Sequence, residues 1–366
     1  MRLLLASLFS VVMFAASPNP TECMGCHEVD AAKFATSKHA KLGCAGCHTG
    51  VGKLPHAGKP GTPKCATCHE AQAKAYAKSV HGQAVQHGDS DAATCASCHG
   101  SPHLITSGPT SKVAKKNLAD TCGSCHSNPT FVTKHKIPFA KPVEAYRLSM
   151  HGREVAKGNE GAASCSDCHG SHDILPSNDP QAHVNRARVS ETCGMCHSDV
   201  AAIYKDSVHG KAVAMGSKDS PTCTGCHGEH NIMAPSEPGS LVNPARVSTV
   251  TCGRCHGDER LDSRYSFGDK VPAYQDSFHG LAVRGGQKTA ANCASCHGVH
   301  NILPSEDPRS TINPRNLQQT CGRCHPGAGA KVTQGKVHVR TAGGVEHVSV
   351  KWIRWTYYFL IPMTIG

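Results

Sequence analysis

The residues best suited to chemistry are the cysteines, because all 22 of them lie in motifs of the form Cys-x-x-Cys-His. Two thiols at this spacing reach the two vinyl groups on one edge of a porphyrin, and the adjoining histidine reaches the iron as an axial ligand. The cysteine pairs are Cys23 and Cys26, Cys44 and Cys47, Cys65 and Cys68, Cys95 and Cys98, Cys122 and Cys125, Cys165 and Cys168, Cys193 and Cys196, Cys223 and Cys226, Cys252 and Cys255, Cys293 and Cys296, and Cys321 and Cys324. The histidines that complete the motifs are His27, His48, His69, His99, His126, His169, His197, His227, His256, His297 and His325. The pattern predicts eleven covalently attached haems of the c type.

Two other uses of cysteine fit the pattern less well. A structural zinc site combines Cys-x-x-Cys with a second pair or with distant histidines, whereas here histidine directly follows the second cysteine in every motif. A disulfide framework leaves these adjoining histidines unexplained. No cysteine remains outside the motifs for either purpose.

The composition indicates that aliphatic side chains do not form the interior. Aromatic residues are 5% of the chain, and the formal net charge is +11. Such a chain needs disulfides, metal or a cofactor to stay folded, and haem would supply the missing apolar mass. Because each haem carries two propionates, we expect many basic residues to pair with them, with Arg188, Arg246 and Arg315 as candidates. The charge therefore does not indicate nucleic-acid binding.

A repeat occurs five times along the chain. It begins with aromatic-x-x-Ser-x-His and continues with an opening haem motif, a second spare histidine, a loop rich in Pro and Ser, and a closing haem motif. The first histidines of the repeats are His39, His81, His151, His209 and His279. The second histidines are His56, His103, His172, His230 and His300. The motif at Cys23 is the eleventh, and His338 is the candidate for the eleventh spare histidine, with His135 as a competitor for a distal role.

We predict that these spare histidines are distal axial ligands, so that all or nearly all irons are bound by two imidazoles. A lone histidine of this kind is more often a surface residue, but the repeated spacing favours ligation. Because His172, His230 and His300 each follow a haem-motif histidine by three residues, each is expected to bind the iron of a neighbouring haem. His87 and His183 are expected to be exposed.

Two further features of the repeat carry structural expectations. The glycine that follows the first histidine in four repeats predicts a backbone pressed against a porphyrin face. The aromatic residue five positions before that histidine either packs on a porphyrin or fills ordinary core.

In these paired motifs and spare histidines, from residue 23 to about 340, the chain resembles the low-potential multihaem cytochromes c with bis-histidine haems. The resemblance implies electron transfer in anaerobic respiration, haems stacked in a chain, and a location in the periplasm or on the cell surface.

The two ends of the chain predict export and contact with a membrane. Residues 1–17 combine a positive charge, an apolar stretch and small residues, which predicts a secretory signal peptide and a site on the periplasmic side of the bacterial inner membrane. Residues 346–366 join a basic, Trp-rich edge to an apolar run. They predict a membrane-interface segment or a truncated transmembrane segment, with a buried terminal helix as the alternative. This tail resembles the start of the b-type cytochrome fused to some multihaem cytochromes, which implies a quinol-oxidising partner.

We predict a mainly irregular fold with short α-helices and almost no sheet. Two longer stretches between motifs, 127–145 and 257–273, separate three groups of haems. The predicted divisions are 18–130 with haems one to five, 131–260 with haems six to nine, and 261–345 with haems ten and eleven.

The leading functional hypothesis is a membrane-tethered periplasmic electron conduit without catalytic residues of its own. It would carry electrons from the quinol pool to other periplasmic or outer-membrane cytochromes or to terminal acceptors. A multihaem reductase of nitrogen or sulfur oxyanions is the first alternative, but the Cys-x-x-Cys-Lys variant that often marks an open iron site is absent. A subunit of an extracellular haem filament is the second alternative, and the membrane-like tail argues against it.

Overall fold

The computed structural model describes residues 20–51, 55–56, 58–139, 141–333, 337–338 and 348–365. The predicted signal peptide, 1–17, lies outside these residues. Within them the chain forms helices and irregular segments without any strand, which confirms the predicted fold class. The α-helices are α1 (Pro20–Met24), α2 (Ala31–Ala35), α3 (Glu70–Lys78), α4 (Val80–Gln86), α5 (Cys95–His99), α6 (Leu118–His126), α7 (Pro129–Lys134), α8 (Pro142–Leu148), α9 (Met150–Ala156), α10 (Cys165–His169), α11 (Val189–Gly194), α12 (Ser198–Asp206), α13 (Val208–Ala214), α14 (Cys223–His227), α15 (Gly253–His256), α16 (Glu259–Tyr265), α17 (Lys270–Gln275), α18 (Phe278–Arg284), α19 (Cys293–His297), α20 (Leu317–Gly322), α21 (Ala330–Thr333) and α22 (Val348–Ile365). A π-helical turn at Val247–Cys252 leads into α15, and 3₁₀ turns lie at Ala40–Leu42, Cys65–Thr67, Pro102–Leu104, Gly108–Thr110 and Lys115–Asn117.

The described chain forms two compact units. The first consists of the described residues up to Cys122 with Ser171–Ile174, and the second of Gly123–Gly170 with the described residues from Leu175 onward. The three groups of haems inferred from the sequence stay a prediction.

Each opening motif of the last four repeats is itself a five-residue helix, as in α10. Ser164 and Asp167 cap its N-terminus reciprocally. The Ser164 side chain accepts from the backbone N–H of Asp167, and the Asp167 carboxylate accepts from the backbone N–H of Ser164. Gly170 ends the helix at a φ of 84°, a conformation that is strained for residues with a Cβ. These caps hold the two cysteines and the histidine of a motif in one rigid turn.

The first histidine of each of these repeats lies at the start of a second short helix, after a helix that carries the aromatic residue. In α12 and α13, Ser207 Oγ donates to the carbonyl of Tyr204 and accepts from the N–H of Gly210. Ser207 therefore caps α13 and fixes the angle between the two helices. The same arrangement occurs at Ser79, Ser149 and Ser277.

Burial in this chain is inverted relative to an ordinary globular domain. Ser79, Ser149, Ser207 and Ser248 are the largest side chains with less than 2% exposure, whereas Phe278 is 92% exposed. Since burial of aliphatic side chains normally dominates folding, the described polypeptide has little conventional core.

Successive repeats are joined by one recurring backbone hydrogen bond, which we call the inter-repeat bond. The residue just before the first histidine of a repeat donates its N–H to the carbonyl two residues after the second histidine of the next repeat. In the first unit these bonds are Lys38 N to Ile105 O (2.8 Å) and Val80 N to Ile174 O (2.9 Å). In the second unit they are Met150 N to Ile232 O (2.8 Å) and Val208 N to Ile302 O (2.9 Å). Each bond places two spare histidines of neighbouring repeats close together.

Candidate functional site

The spare histidines lie opposite the histidines of the haem motifs. Ten such ring pairs occur among the described residues, with ring centroids 5.8–6.2 Å apart. The pairs are His27–His56, His39–His69, His48–His103, His99–His172, His151–His197, His169–His230, His209–His256, His227–His300, His279–His325 and His297–His338. These pairs contain every predicted ligand histidine except His81 and His126. His81 is the first histidine of the second repeat, and His126 belongs to the closing motif of the same repeat.

The separation of the rings matches two axial ligands of one metal ion. Two metal–nitrogen bonds of about 2 Å each, with the distance from each nitrogen to its ring centre, place two opposed imidazoles about 6 Å apart. A narrow range of centroid distances over ten pairs indicates one common geometry. Each pair can therefore hold one metal ion between two nitrogen donors.

The pairing follows a fixed register along the repeats. A first histidine faces the closing motif of its own repeat, as His209 faces His256 at 6.2 Å. A second histidine faces the opening motif of the preceding repeat, as His230 faces His169 at 6.0 Å. Each repeat therefore completes a site of the repeat before it. The structure thus places His172, His230 and His300 opposite a motif other than their own.

Ring orientation varies among the pairs. The second histidines His56, His172, His230 and His300 lie nearly parallel to their partners, with interplanar angles of 7–18°. The second histidines His103 and His338 are inclined by 35° and 41°. The first histidines are tilted by 44–59°.

The tyrosine of the repeat ties the first histidine to the next opening motif. The hydroxyl of Tyr204 donates to the carbonyl of Pro221, two residues before Cys223, at 2.7 Å. The hydroxyls of Tyr76, Tyr146 and Tyr274 likewise each donate to the backbone carbonyl of the residue seventeen positions later in the chain. In the first repeat this position is Phe34, which is buried and packs edge-on to His103 at 6.1 Å. A polar anchor was therefore missed from the sequence, although the constant seventeen-residue spacing was a usable signal.

The glycine after the first histidine has a cause within the polypeptide itself, and its expected contact with a porphyrin face stays a prediction. A Cβ at Gly210 would lie 2.1 Å from the carbonyl oxygen of Tyr204, and the distances at Gly82, Gly152 and Gly280 are 1.9–2.1 Å. The tight turn between the two helices therefore excludes a side chain. Contact with the polypeptide alone suffices to require glycine here.

Burial keeps several of these imidazoles neutral. It lowers the pKa of His169 and of His209 to about 4, and the neighbouring His230 and His256 add a smaller repulsion. At neutral pH both rings therefore have a nitrogen lone pair available for a metal ion.

Closing motifs meet the next opening motif through their first cysteines. The thiols of Cys193 and Cys223 share a hydrogen bond that raises the pKa of Cys193, and those of Cys252 and Cys293 share one that raises the pKa of Cys252. In the first unit the same contact joins Cys23 to Cys44 and Cys65 to Cys95. Motifs that are consecutive in the sequence are thus adjacent in space.

Opening and closing motifs of one repeat meet through other cysteines. Burial raises the pKa of Cys168 to about 11, and the nearby Cys193 and Cys196 add to this shift. Cys226 lies near Cys255, and Cys296 near Cys321 and Cys324. From Cys165 to Cys324, the six motifs therefore form one series of neighbours in sequence order.

Comparison with known proteins finds relatives among the cytochromes c. The family model described as class III cytochrome c matches residues 28–126. The cytochrome c-type protein NrfB of Escherichia coli O6:H1 (strain CFT073) is 27% identical over 129 residues, which are 29% of this chain and 60% of that protein. Together with the eleven motifs, these matches support a multihaem cytochrome c family for the chain. It spans less than two thirds of the length of this relative. No solved structure matches it.

The residues of this cytochrome fit covalently bound haem. Each site combines two opposed imidazoles with a cysteine pair, the donor set that haem c requires. Large apolar side chains also lie exposed beside the motifs, where a porphyrin would cover them. Met195, between two motif cysteines, is 65% exposed, and Leu148, three residues before His151, is 60% exposed.

The loops of the cytochrome are held by hydrogen bonds from side chains to backbone carbonyls that the sequence did not reveal. The threonine before the closing motif of each of the last four repeats donates to a carbonyl of the preceding loop, as Thr192 does to His183 at 2.6 Å. Asn185 donates to Ser177 O within the same loop. Arg188 and Arg246, expected to pair with propionates, donate to the loop carbonyls of Gln181 and Gly239 respectively, each at 2.6 Å.

The remaining histidines of the cytochrome take other places. The ring of His135, the competitor for a distal role, packs on Phe131 at 4.3 Å. His87 is exposed, and its ring contacts the carbonyl of Gln83. His183 is half-buried rather than exposed, and its carbonyl accepts from Thr192. His347 lies outside the described residues.

The C-terminal segment of the cytochrome forms α22. Trp352, Trp355 and Phe359 on this helix are 67–74% exposed, so the alternative of a buried terminal helix is not borne out. Within the described part of the chain, no helix combines the length and apolar character that a membrane crossing requires.

Proposed function

We propose that this cytochrome carries electrons along eleven covalently bound haems, each held by two histidines. It would act as a membrane-associated conduit on the periplasmic side of the bacterial inner membrane. Electrons would enter from the quinol pool through a b-type cytochrome and leave to other periplasmic or outer-membrane cytochromes or terminal acceptors. In this role it is a carrier and not an enzyme.

The ten histidine pairs at 5.8–6.2 Å carry the proposal. Haem bound there supplies one-electron exchange between ferric and ferrous iron. Two of the chain's own histidines would hold each iron, which would leave substrate no iron site to bind. Two imidazoles favour the ferric state more than a methionine ligand does, which suits a low-potential carrier.

The order of the motifs supports a conduit over a set of independent centres. In the second unit, contacts such as Cys193 with Cys223 and Cys252 with Cys293 join consecutive motifs. Haems attached at adjacent cysteines would have adjacent edges, and electrons would pass between them without long gaps. The path proposed for this unit follows the sequence, from the motif at Cys165 to the motif at Cys321.

The membrane part of the proposal is supported by α22. Its exposed aromatic side chains, among them Trp352 and Trp355, are of the type enriched where proteins meet the membrane interface. Lys351 on the same helix can interact with anionic headgroups.

The central experiment is expression of the full chain in a host that matures c-type cytochromes. We expect a mass increase equal to eleven haems and, in the oxidised protein, electron paramagnetic resonance signals from low-spin ferric haem alone. A smaller number of haems contradicts the count. A high-spin ferric signal from the purified protein contradicts complete bis-histidine ligation.

Two measurements test the role of the matured protein. Binding to anionic lipid vesicles should fall when Trp352 and Trp355 are both replaced by Ala, and unchanged binding contradicts the membrane role of α22.

The reduced protein should not turn over nitrite or sulfite repeatedly. Sustained consumption of either anion would favour the reductase alternative.

A further inference from the structure

The closing motifs of the last four repeats differ from one another at one position only. Their shared form is Thr-Cys-Gly-x-Cys-His, and the variable residue is Ser124, Met195, Arg254 or Arg323 in chain order. The second and third repeats therefore have a neutral side chain between the two cysteines, whereas the fourth and fifth have a cation. Because the guanidinium of arginine keeps its charge at any usable pH, this difference adds a fixed positive charge to each of the last two repeats.

Arg254 is anchored on the opening motif of its own repeat. Its Nη2 donates to the carbonyl of Gly225 at 2.6 Å, and Gly225 lies between Cys223 and Cys226 in α14. The arginine and the glycine are 29 residues apart in the chain. One side chain therefore joins the two haem motifs of the fourth repeat, and its charge is held beside the turn that carries Cys223 and Cys226.

Both arginines are within electrostatic reach of a cysteine of the opening motif. Burial raises the pKa of Cys226, and Arg254 opposes this rise because it favours negative charge on the sulfur. Burial likewise raises the pKa of Cys296, and Arg323 opposes that rise. Each guanidinium thus favours negative charge at the point where a haem would be attached.

A cation at this place would act on a haem with little screening. Gly225 and Cys226 are half-buried, and charges interact more strongly there than in bulk water. The carbonyl that accepts from Arg254 is neutral, so that the hydrogen bond leaves the positive charge in place. The cysteines attach to one edge of a haem and the propionates leave from the opposite edge. Arg254 is therefore on the far side from the propionates of the haem at Cys223.

We propose that Arg254 raises the reduction potential of the haem attached at Cys223, and that Arg323 does the same for the opening haem of the fifth repeat. Reduction lowers the charge of a haem by one, so a fixed cation beside it favours the ferrous state. The inference rests on the proposed electron conduit and deepens it, since electrons on the second unit would then favour the fourth and fifth repeats over the third, which has Met195 at this position. Each electron gained by such a ferric haem is lost by an adjacent ferrous haem of the same chain, and no proton is required.

The test needs one haem to be followed separately from the others. His300→Ala removes the imidazole that faces His227 at 5.9 Å, so that the haem at Cys223 becomes the high-spin ferric centre of the matured full chain. The loss of this high-spin signal during a potentiometric titration, followed by electron paramagnetic resonance, gives the midpoint potential of that haem alone.

Three substitutions in this background separate charge from hydrogen bonding. Arg254→Gln keeps a donor but removes the charge, and should make the tagged haem about tenfold harder to reduce, a fall of about 59 mV for one electron. Arg254→Lys keeps the charge and should retain more than half of this potential difference. Arg260→Gln controls for charge loss elsewhere, since Arg260 is 89% exposed and pairs with Asp258, and should have less than half the effect. An unchanged potential in Arg254→Gln, or equal falls in the Gln and Lys variants, overturns the proposal.

A second measurement does not depend on the substitution of His300. In the chain with all its histidines, the area under a reductive titration of the visible spectrum gives the sum of the haem midpoint potentials. Replacing Arg254 and Arg323 together by Gln should lower this sum by about twice the fall expected for Arg254 alone. An unchanged sum in the doubly substituted protein overturns the proposal.

Failure of this inference is distinguishable from failure of the proposed function. A matured wild-type chain that lacks some of the haems, or that shows high-spin iron, contradicts the proposed function. Fully loaded, low-spin wild-type protein contradicts only this inference if the potentials ignore the loss of Arg254 and Arg323.

Discussion

The hydroxyl of Tyr204 donates to the carbonyl of Pro221 at 2.7 Å and thereby links the helix before the spare histidine His209 to the start of the next Cys-x-x-Cys-His motif. Burial raises the pKa of Tyr204 to about 12, so that the phenol remains a donor throughout the usable pH range. Because the contact recurs in four repeats, it sets the distance between His209 and the motif at Cys223 as a property of the repeat. It is a positioning contact, and no electron needs to pass through it.

Replacing Tyr204 by Phe removes this bond and leaves the carbonyl of Pro221 without it. We expect a loss of about 1 kcal/mol in the free energy of unfolding, the usual contribution of a partly buried hydrogen bond. The measurement is the urea midpoint of the matured protein. Tyr265→Phe is the matched control, since that phenol lies at an exposed site. Equal shifts in the two variants would refute a positioning role for Tyr204.

Replacing Gly210 by Ala should displace His209. The new Cβ would lie 2.1 Å from the carbonyl oxygen of Tyr204, so that the turn between α12 and α13 must open. We expect one high-spin haem per chain, at the motif of His256, as seen by electron paramagnetic resonance. Gly329→Ala, where nothing lies within 4 Å of the added atom, serves as the control. A purely low-spin Gly210→Ala protein would show that the turn tolerates a side chain.

Replacing His230 by Ala should open the haem of the preceding repeat, at Cys165, and leave the adjacent motif at Cys223 intact. The reason is the 6.0 Å pairing of His230 with His169. In a background where Cys165 and Cys168 are both Ala, the same substitution should add no high-spin signal. In a background that lacks the motif at Cys223, it should add one. The reverse result would show that His230 serves the haem at Cys223 and not the haem at Cys165.

The ion pair of Arg153 and Glu237 joins two repeats and should make stability depend on pH. The hydrogen bonds from Arg153, and then from the N–H of Ala234, hold the pKa of Glu237 below its ordinary value. A carboxylate whose pKa is lower when folded stabilises the protein fully above its unfolded pKa, and this contribution is lost as the pH falls through the folded pKa. Glu237→Gln should therefore lower the urea midpoint at neutral pH and weaken its fall on acidification.

A double-mutant cycle with Arg153→Gln isolates this pair. The two substitutions together should cost less stability than the sum of their separate effects at neutral pH, and should become additive in acid. Additive effects at neutral pH would show that the two side chains do not interact in solution.

Much of the site was predictable because its chemistry is local. Cysteines three positions apart with an adjoining histidine define a haem motif within one helical turn, and the structure forms that turn as a helix in α10 and α14. The repeated spacing also identified the spare histidines, of which His338 was the least regular. The short helices and absence of strands in the described ranges followed from the same closely spaced motifs.

What the sequence by itself determined is the attachment chemistry and the supply of imidazoles, since both depend on residues within a few positions of each other. Tertiary structure decided which imidazole faces which motif, as with His230 and His169, and why Gly210 has no side chain. Those relationships depend on how one repeat's backbone bonds to the next, at contacts such as Met150 with Ile232. Contacts of that kind join residues far apart along the chain, and no local spacing encodes them.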